Sequence, residues 1–99
     1  MTNPYRGEVE LTVDGTKRVL RLTLGRLASL EAELGTESLL DLVERFEGGS
    51  FSAADLLSLL AAGLGEAPET LARAEIEGGP VAAAKAAARL LAVTFEVPA

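Results

Sequence analysis

Glu8-Val9-Glu10-Leu11-Thr12-Val13-Asp14-Gly15-Thr16-Lys17-Arg18-Val19-Leu20-Arg21-Leu22-Thr23 is the stretch whose pattern sets the fold class. Val9, Leu11 and Val13 alternate with Glu8, Glu10 and Thr12, the period of two that marks a strand with one buried face. Asp14-Gly15 follows, and glycine accepts the positive φ that a tight hairpin turn requires. The return strand reads from Lys17 to Thr23, with Leu20, Leu22 and Leu24 on one face and Val19, Arg21 and Thr23 on the other. Residues 8–24 therefore predict a β-hairpin. A two-stranded hairpin alone is marginal in water, so it must lie on helices or pair with another chain.

From 24 to 95 the period changes to that of helices. Thr23 suits the cap of a helix running to Leu34, with Leu27, Leu30 and Leu34 on one stripe and Gly35 as the stop. Thr36 or Ser38 opens the next, which carries Leu39, Leu42, Val43 and Phe46 and ends at Gly48-Gly49. Ser52-Ala53-Ala54-Asp55 is an acidic variant of the capping box, followed by Leu56, Leu57, Leu60 and Leu64 on one face; Gly63 and Gly65 read as its close. Pro68 starts a short fourth helix through Leu71 to Ile76. Gly78-Gly79 breaks the chain, and Pro80 starts an Ala-rich helix from Val81 to about Phe95. The expected architecture is α+β and helix-dominant: an N-terminal β-hairpin followed by four or five short helices, one domain over residues 1–99. Its expected core is Leu11, Leu22, Leu27, Leu30, Leu34, Leu42, Val43, Phe46, Leu56 and Leu60.

Composition narrows the chemistry. The 99 residues include no Cys, His or Trp. Thiolate nucleophiles, disulfides, zinc-thiolate sites, imidazole ligands and Ser-His-Asp triads are thereby excluded. A net charge of −6 with 4% aromatic residues disfavours binding to nucleic acid, which needs cations and stacking rings. The start of the chain lacks the apolar run of a signal peptide. The apolar stretches at 56–64 and 81–93 fall short of the roughly 20 residues that span a bilayer. The sequence thus reads as a soluble, cytoplasmic, acidic domain. Its charge is uneven: the eleven acids of residues 31–77 face only Arg45 and Arg73, whereas both flanking blocks are slightly basic. That acidic block reads as solvated helix exterior or as a face for a basic partner.

Several enzyme-like groupings fall away on spacing. Glu31 and Glu33 point to different faces of a helix, and Asp41, Glu44 and Glu47 form a solvated stripe without a His or Lys neighbour. Gly63-Leu64-Gly65 and Gly78-Gly79-Pro80 lack the Lys-Ser/Thr ending of a phosphate loop and follow no strand. No catalytic residue, cofactor or metal site is expected. The apolar faces remain. Leu39-Leu40, Leu56-Leu57, Leu59-Leu60 and Leu90-Leu91 are neighbours about 100° apart on a helix, which widens the apolar arc beyond one core stripe. Some of that width is expected to meet a partner, with Leu56, Leu57, Leu60 and Leu64 the candidate binding residues. The hairpin's open edge adds an expectation of self-association.

Gly7-Glu8-Val9-Glu10-Leu11-Thr12-Val13-Asp14-Gly15, then Leu20-Arg21-Leu22-Thr23-Leu24-Gly25, then Leu30-Glu31-Ala32-Glu33-Leu34-Gly35 resembles the small tail assembly chaperone family of gene transfer agents and related prophages. Asp55-Leu56 and the break at Gly63 extend the resemblance, which covers roughly residues 7–65. It implies a non-enzymatic role: binding the tape measure protein, helping to recruit tail tube subunits to it, and leaving the finished particle. Two other readings stay open beside it. One is a structural minor tail component retained in the particle; the other is a cytosolic protein-interaction module unrelated to phage tails.

Overall fold

At Asp14-Gly15 both residues have positive φ, 51° and 78°, the signature of a two-residue type I′ turn. That turn fixes the register of strand β1 (Glu8–Val13) against β2 (Thr16–Arg21), with Val13 opposite Thr16 and Glu8 opposite Arg21. The computed structural model describes residues 8–35, 38–49 and 51–95. After the hairpin come helices α1 (Leu24–Leu34), α2 (Leu39–Glu47), α3 (Ala53–Leu64), α4 (Pro68–Ala72) and α5 (Gly79–Phe95). The fold is helix-dominant with an N-terminal antiparallel hairpin, as the sequence pattern predicts. Thr36 as the alternative opening of the second helix, the stretch up to Gly7 and the side chain of Leu39 lie outside the described residues.

The helix starts follow local capping chemistry. The hydroxyls of Thr23, Ser38 and Ser52 accept from the backbone N–H of Arg26, Asp41 and Asp55. Asp55 completes the capping box by accepting from the Ser52 N–H at 3.1 Å. Because Thr23 caps α1, the return strand ends at Arg21 and not at Thr23. The strand alternation stops with it, so Leu24 opens the helix and is 76% exposed instead of joining Leu20 and Leu22 inside.

Helix α3 is the centre of the packing. It lies against α1, β2, α4 and α5, while β1 rests on α5. A helix with neighbours on so many sides needs a wide apolar arc, which explains why Leu59 and Leu60 are both buried. The same holds for Leu90 and Leu91 on α5. The width that these two pairs add is therefore covered within the chain. Gly63 is inside α3 and does not end it; Gly65, in the left-handed conformation, is the stop. A Cβ on Gly63 would sit 3.0 Å from Leu90 Cδ2 and 3.2 Å from Leu20 Cδ2, so the glycine lets β2 and α5 close on α3. Arg26 completes that junction, donating from Nη1 to the carbonyls of Arg21 (2.9 Å) and Gly63 (3.1 Å).

The core also holds Val9, Val13, Leu20 and Leu71 and the inward alanines Ala83, Ala86 and Ala87, which the sequence list omitted. Leu34, Val43 and Leu56 are half-buried at its margin and not within it. Phe51 stacks on Phe46 with ring centroids 5.2 Å apart, tying the start of α3 to α2. Arg45 reinforces this corner, donating to the Leu34 carbonyl at 3.2 Å and lying 3.7 Å from the Asp55 carboxylate.

The largest departure from the sequence reading lies after α4. The helix ends at Ala72, and Ile76 is not helical: it forms an antiparallel bridge with Val13. Asp14 N–H donates to the Glu75 carbonyl (2.7 Å), Glu77 N–H donates to the Thr12 carbonyl (3.1 Å), and Asp14 Oδ1 accepts from Glu75 N–H (2.8 Å). Residues 74–79 form a strap that closes the turn end of the β1 edge before the chain enters α5 through Gly78 and Gly79, both with positive φ. The edge that was expected to need a partner chain is thus covered there from within.

The close approach at Gly63 yields a stability prediction. Gly63→Val forces the Leu20 and Leu90 side chains apart and should lower stability by about 1–3 kcal/mol, the usual cost of overpacking. Urea unfolding followed by circular dichroism reads it directly; an unchanged or higher midpoint would contradict the packing described.

Candidate functional site

The strap and α3 do not touch along their whole length, and the space between them is an open groove of about 1030 Å³. One wall is the face of α3 bearing Ala53, Leu56, Leu57 and Leu60; the other is the strap, with Ala74 and Ile76. Pro80 and Ala83, at the start of α5, and the hairpin turn around Thr12, Asp14 and Gly15 complete the lining. Each wall is held by the local chemistry already described. The capping box fixes where α3 begins and hence which way Leu56 and Leu57 point, while the bonds of Asp14 to Glu75 hold the strap at its distance.

Three of the four leucines singled out in the sequence meet here. Leu56 and Leu57 are half-buried along the wall, and Leu60, 1% exposed, forms part of the floor. Leu60 is therefore a core residue whose edge the groove reaches. Leu64 is half-buried but does not line the groove, because it is the last residue of α3, where the chain turns through Gly65 toward α4. The sequence reading missed Ile76, Ala74, Pro80 and Ala83. The signal for the first was present: Glu75-Ile76-Glu77 alternates acid, apolar, acid ahead of two glycines, as a short strand does.

Charge sits on the lips of the groove. Asp14, Glu75 and Glu77 are exposed and line it, with Lys17 the single cation among the lining residues. Lys17 lies 3.8 Å from Glu10, on the solvent face of the hairpin, and both side chains are too exposed for that pair to matter energetically. The groove thus presents an apolar bed under a mainly acidic rim. Val81, 65% exposed, extends the apolar surface beyond Pro80.

A second cavity of about 410 Å³ lies between α1, the end of α3 and the start of α4. Several of its polar side chains are bonded within the chain. Ser58 Oγ donates to Glu33 Oε1 at 3.1 Å, Arg26 is engaged as above, and Glu66 accepts from Arg18 at 2.8 Å. These bonds tie α1 and β2 to α3 and its C-terminal end. Among the described residues, no group of three or more carboxylates is placed to hold a metal ion, and no helix is long and apolar enough to cross a membrane.

Searches of curated proteins and of solved structures return no significant match. A protein-family model described as "Phage tail tube protein, GTA-gp10" matches residues 6–97, which is nearly the whole chain. The chain therefore belongs to this phage and gene-transfer-agent tail family.

Proposed function

We propose that this protein is a non-enzymatic tail assembly chaperone of a gene transfer agent or prophage. In this reading it works in the cytoplasm without a cofactor, binds the tape measure protein through the groove between α3 and the strap, and helps recruit tail tube subunits. The observation that carries the reading is the groove itself: an open, largely apolar trough, lined by Leu56, Leu57 and Ile76, in a chain with tail-family membership. An exposed apolar trough rimmed by charge suits reversible holding of an aggregation-prone partner, because apolar contact supplies affinity while the rim keeps the complex soluble. Self-association belongs to the same reading, since among the described residues no strand pairs with the other side of β2, where Val19 is 49% exposed.

A second reading has its own support. The description of the matching family names a tail tube protein, which favours a structural component kept in the particle. The two readings separate on stoichiometry, since mass spectrometry of purified particles finds a chaperone depleted and a tube component in fixed ratio.

The direct test of the chaperone reading is co-expression with the tape measure protein. Leu57 lies half-buried on the groove wall at the margin of the core, so Leu57→Glu should leave the fold largely intact and bury the charge fully only in the complex. Co-purification should fall by roughly tenfold or more, as when a charge is left unpaired in a desolvated contact. Leu40→Glu, at a 66% exposed position on α2, should have no effect. If the tape measure is equally soluble without this protein and the two never co-purify, the chaperone reading is wrong.

A further inference from the structure

We infer that the groove receives an α-helix from another protein, one whose apolar stripe is flanked by Lys or Arg side chains. The inference deepens the proposed function and rests on its placing of the contact in the groove, but it concerns the chemistry of whatever lies there.

The backbone bordering the groove decides the form of the occupant. An extended segment needs a row of free N–H and C=O groups to pair with. Next to the groove much of that row is already used: the Thr12 carbonyl takes the Glu77 N–H, the Asp14 N–H is given to the Glu75 carbonyl, and the Ile76 carbonyl takes the Gly79 N–H. A strand entering between α3 and the strap would leave its own backbone groups unsatisfied against Leu56, Leu57 and Ile76, which is costly. A helix brings its backbone already bonded and offers side chains at i, i+3, i+4 and i+7 to an apolar bed. Size points the same way. Enclosed small-molecule sites run to about 1,000 Å³. This groove has reached that volume, 1030 Å³, while still open to solvent, as a trough for a ridge of side chains would be.

The rim sets the charge of the occupant. Asp14, Glu75 and Glu77 are exposed along it, and against them stands Lys17, so the described rim is net negative. Side chains that flank an apolar stripe meet these carboxylates, so cations there are favoured and acids repelled. A second copy of this chain has a basic helix to offer, because Lys85 and Arg89 are exposed on α5. Its ridge is poor, however. The larger residues Leu90 and Leu91 of α5 are buried in their own core, leaving Val81 and the small Ala88 and Ala92 outside. Alanines do not fill a groove built of leucines, so the fitting helix comes from a different protein.

The probes for the test are two synthetic amphipathic helical peptides of about 20 residues, with one leucine stripe each and with Lys or Glu on both flanks. Fluorescence anisotropy against the intact chain should show the Lys peptide binding roughly tenfold or more tighter than the Glu peptide, the gap narrowing in about 0.5 M salt. Glu75→Lys with Glu77→Lys should reverse that preference. Glu44→Lys with Glu47→Lys makes the same change in net charge on the exposed face of α2 and should leave the preference in place. Equal binding of both peptides, or an equal response to the two double variants, overturns the inference and reduces the effect to overall charge. Sedimentation showing a second copy seated in the groove, undisplaced by the Lys peptide, overturns it as well. The inference and the proposed function fail separately. Loss of tape measure binding in Leu57→Glu without any peptide preference refutes only the helix chemistry. Clear peptide preference with no tape measure binding refutes only the chaperone reading.

Discussion

Asp14 is used three times over, as a residue with φ of 51° in the hairpin turn, as a backbone donor to the Glu75 carbonyl, and as a carboxylate accepting the Glu75 N–H. With the bond from Glu77 to the Thr12 carbonyl, these contacts fasten residues 74–79 to the end of β1. The remaining architecture depends on that fastening. It closes the β1 edge at the turn, sets where α5 begins, and holds the strap away from α3 so that a groove remains between them. Each bond contributes only about 0.5–1.5 kcal/mol net, and at exposed residues such as Asp14 and Glu75 the lower end applies, so the fastening acts through several bonds together. The turn is thus both a hairpin connection and the anchor of one wall of the groove.

Local chemistry was legible in the sequence. Thr23, Ser38, Ser52 with Asp55, Gly35 and Gly65 bound the helices at or near the positions their residue types suggest, because a cap depends only on neighbours three or four residues away. What depends on distant contacts was not. The bridge of Ile76 to Val13 joins segments far apart in the chain, so a helical reading simply ran on past Ala72. Gly63 looks like a helix stop by type, but it is a point of close approach that exists only once Leu20 and Leu90 are packed around it.

The paired leucines show how one pattern serves two ends. Neighbouring leucines announce a broad apolar arc but do not say what covers it. At Leu59-Leu60 and Leu90-Leu91 the arc is covered by the chain itself, since α3 is surrounded by four other elements. At Leu56-Leu57, nearer the start of α3, that cover runs out, and the strap stands off across the groove. Of the face read from the sequence, Leu56, Leu57 and Leu60 line the groove, whereas Leu64 ends α3 beyond it, where α4 packs against the helix.

Hydrogen–deuterium exchange of the protein, alone and in complex with the tape measure protein, tests the central claim that the groove is the working surface. Slower exchange is expected along the first two turns of α3 and the strap at residues 74–79, with the exposed face of α2 unchanged. Protection confined to α2 or to the outer face of the hairpin, with the α3 and strap amides unaltered, would contradict the account.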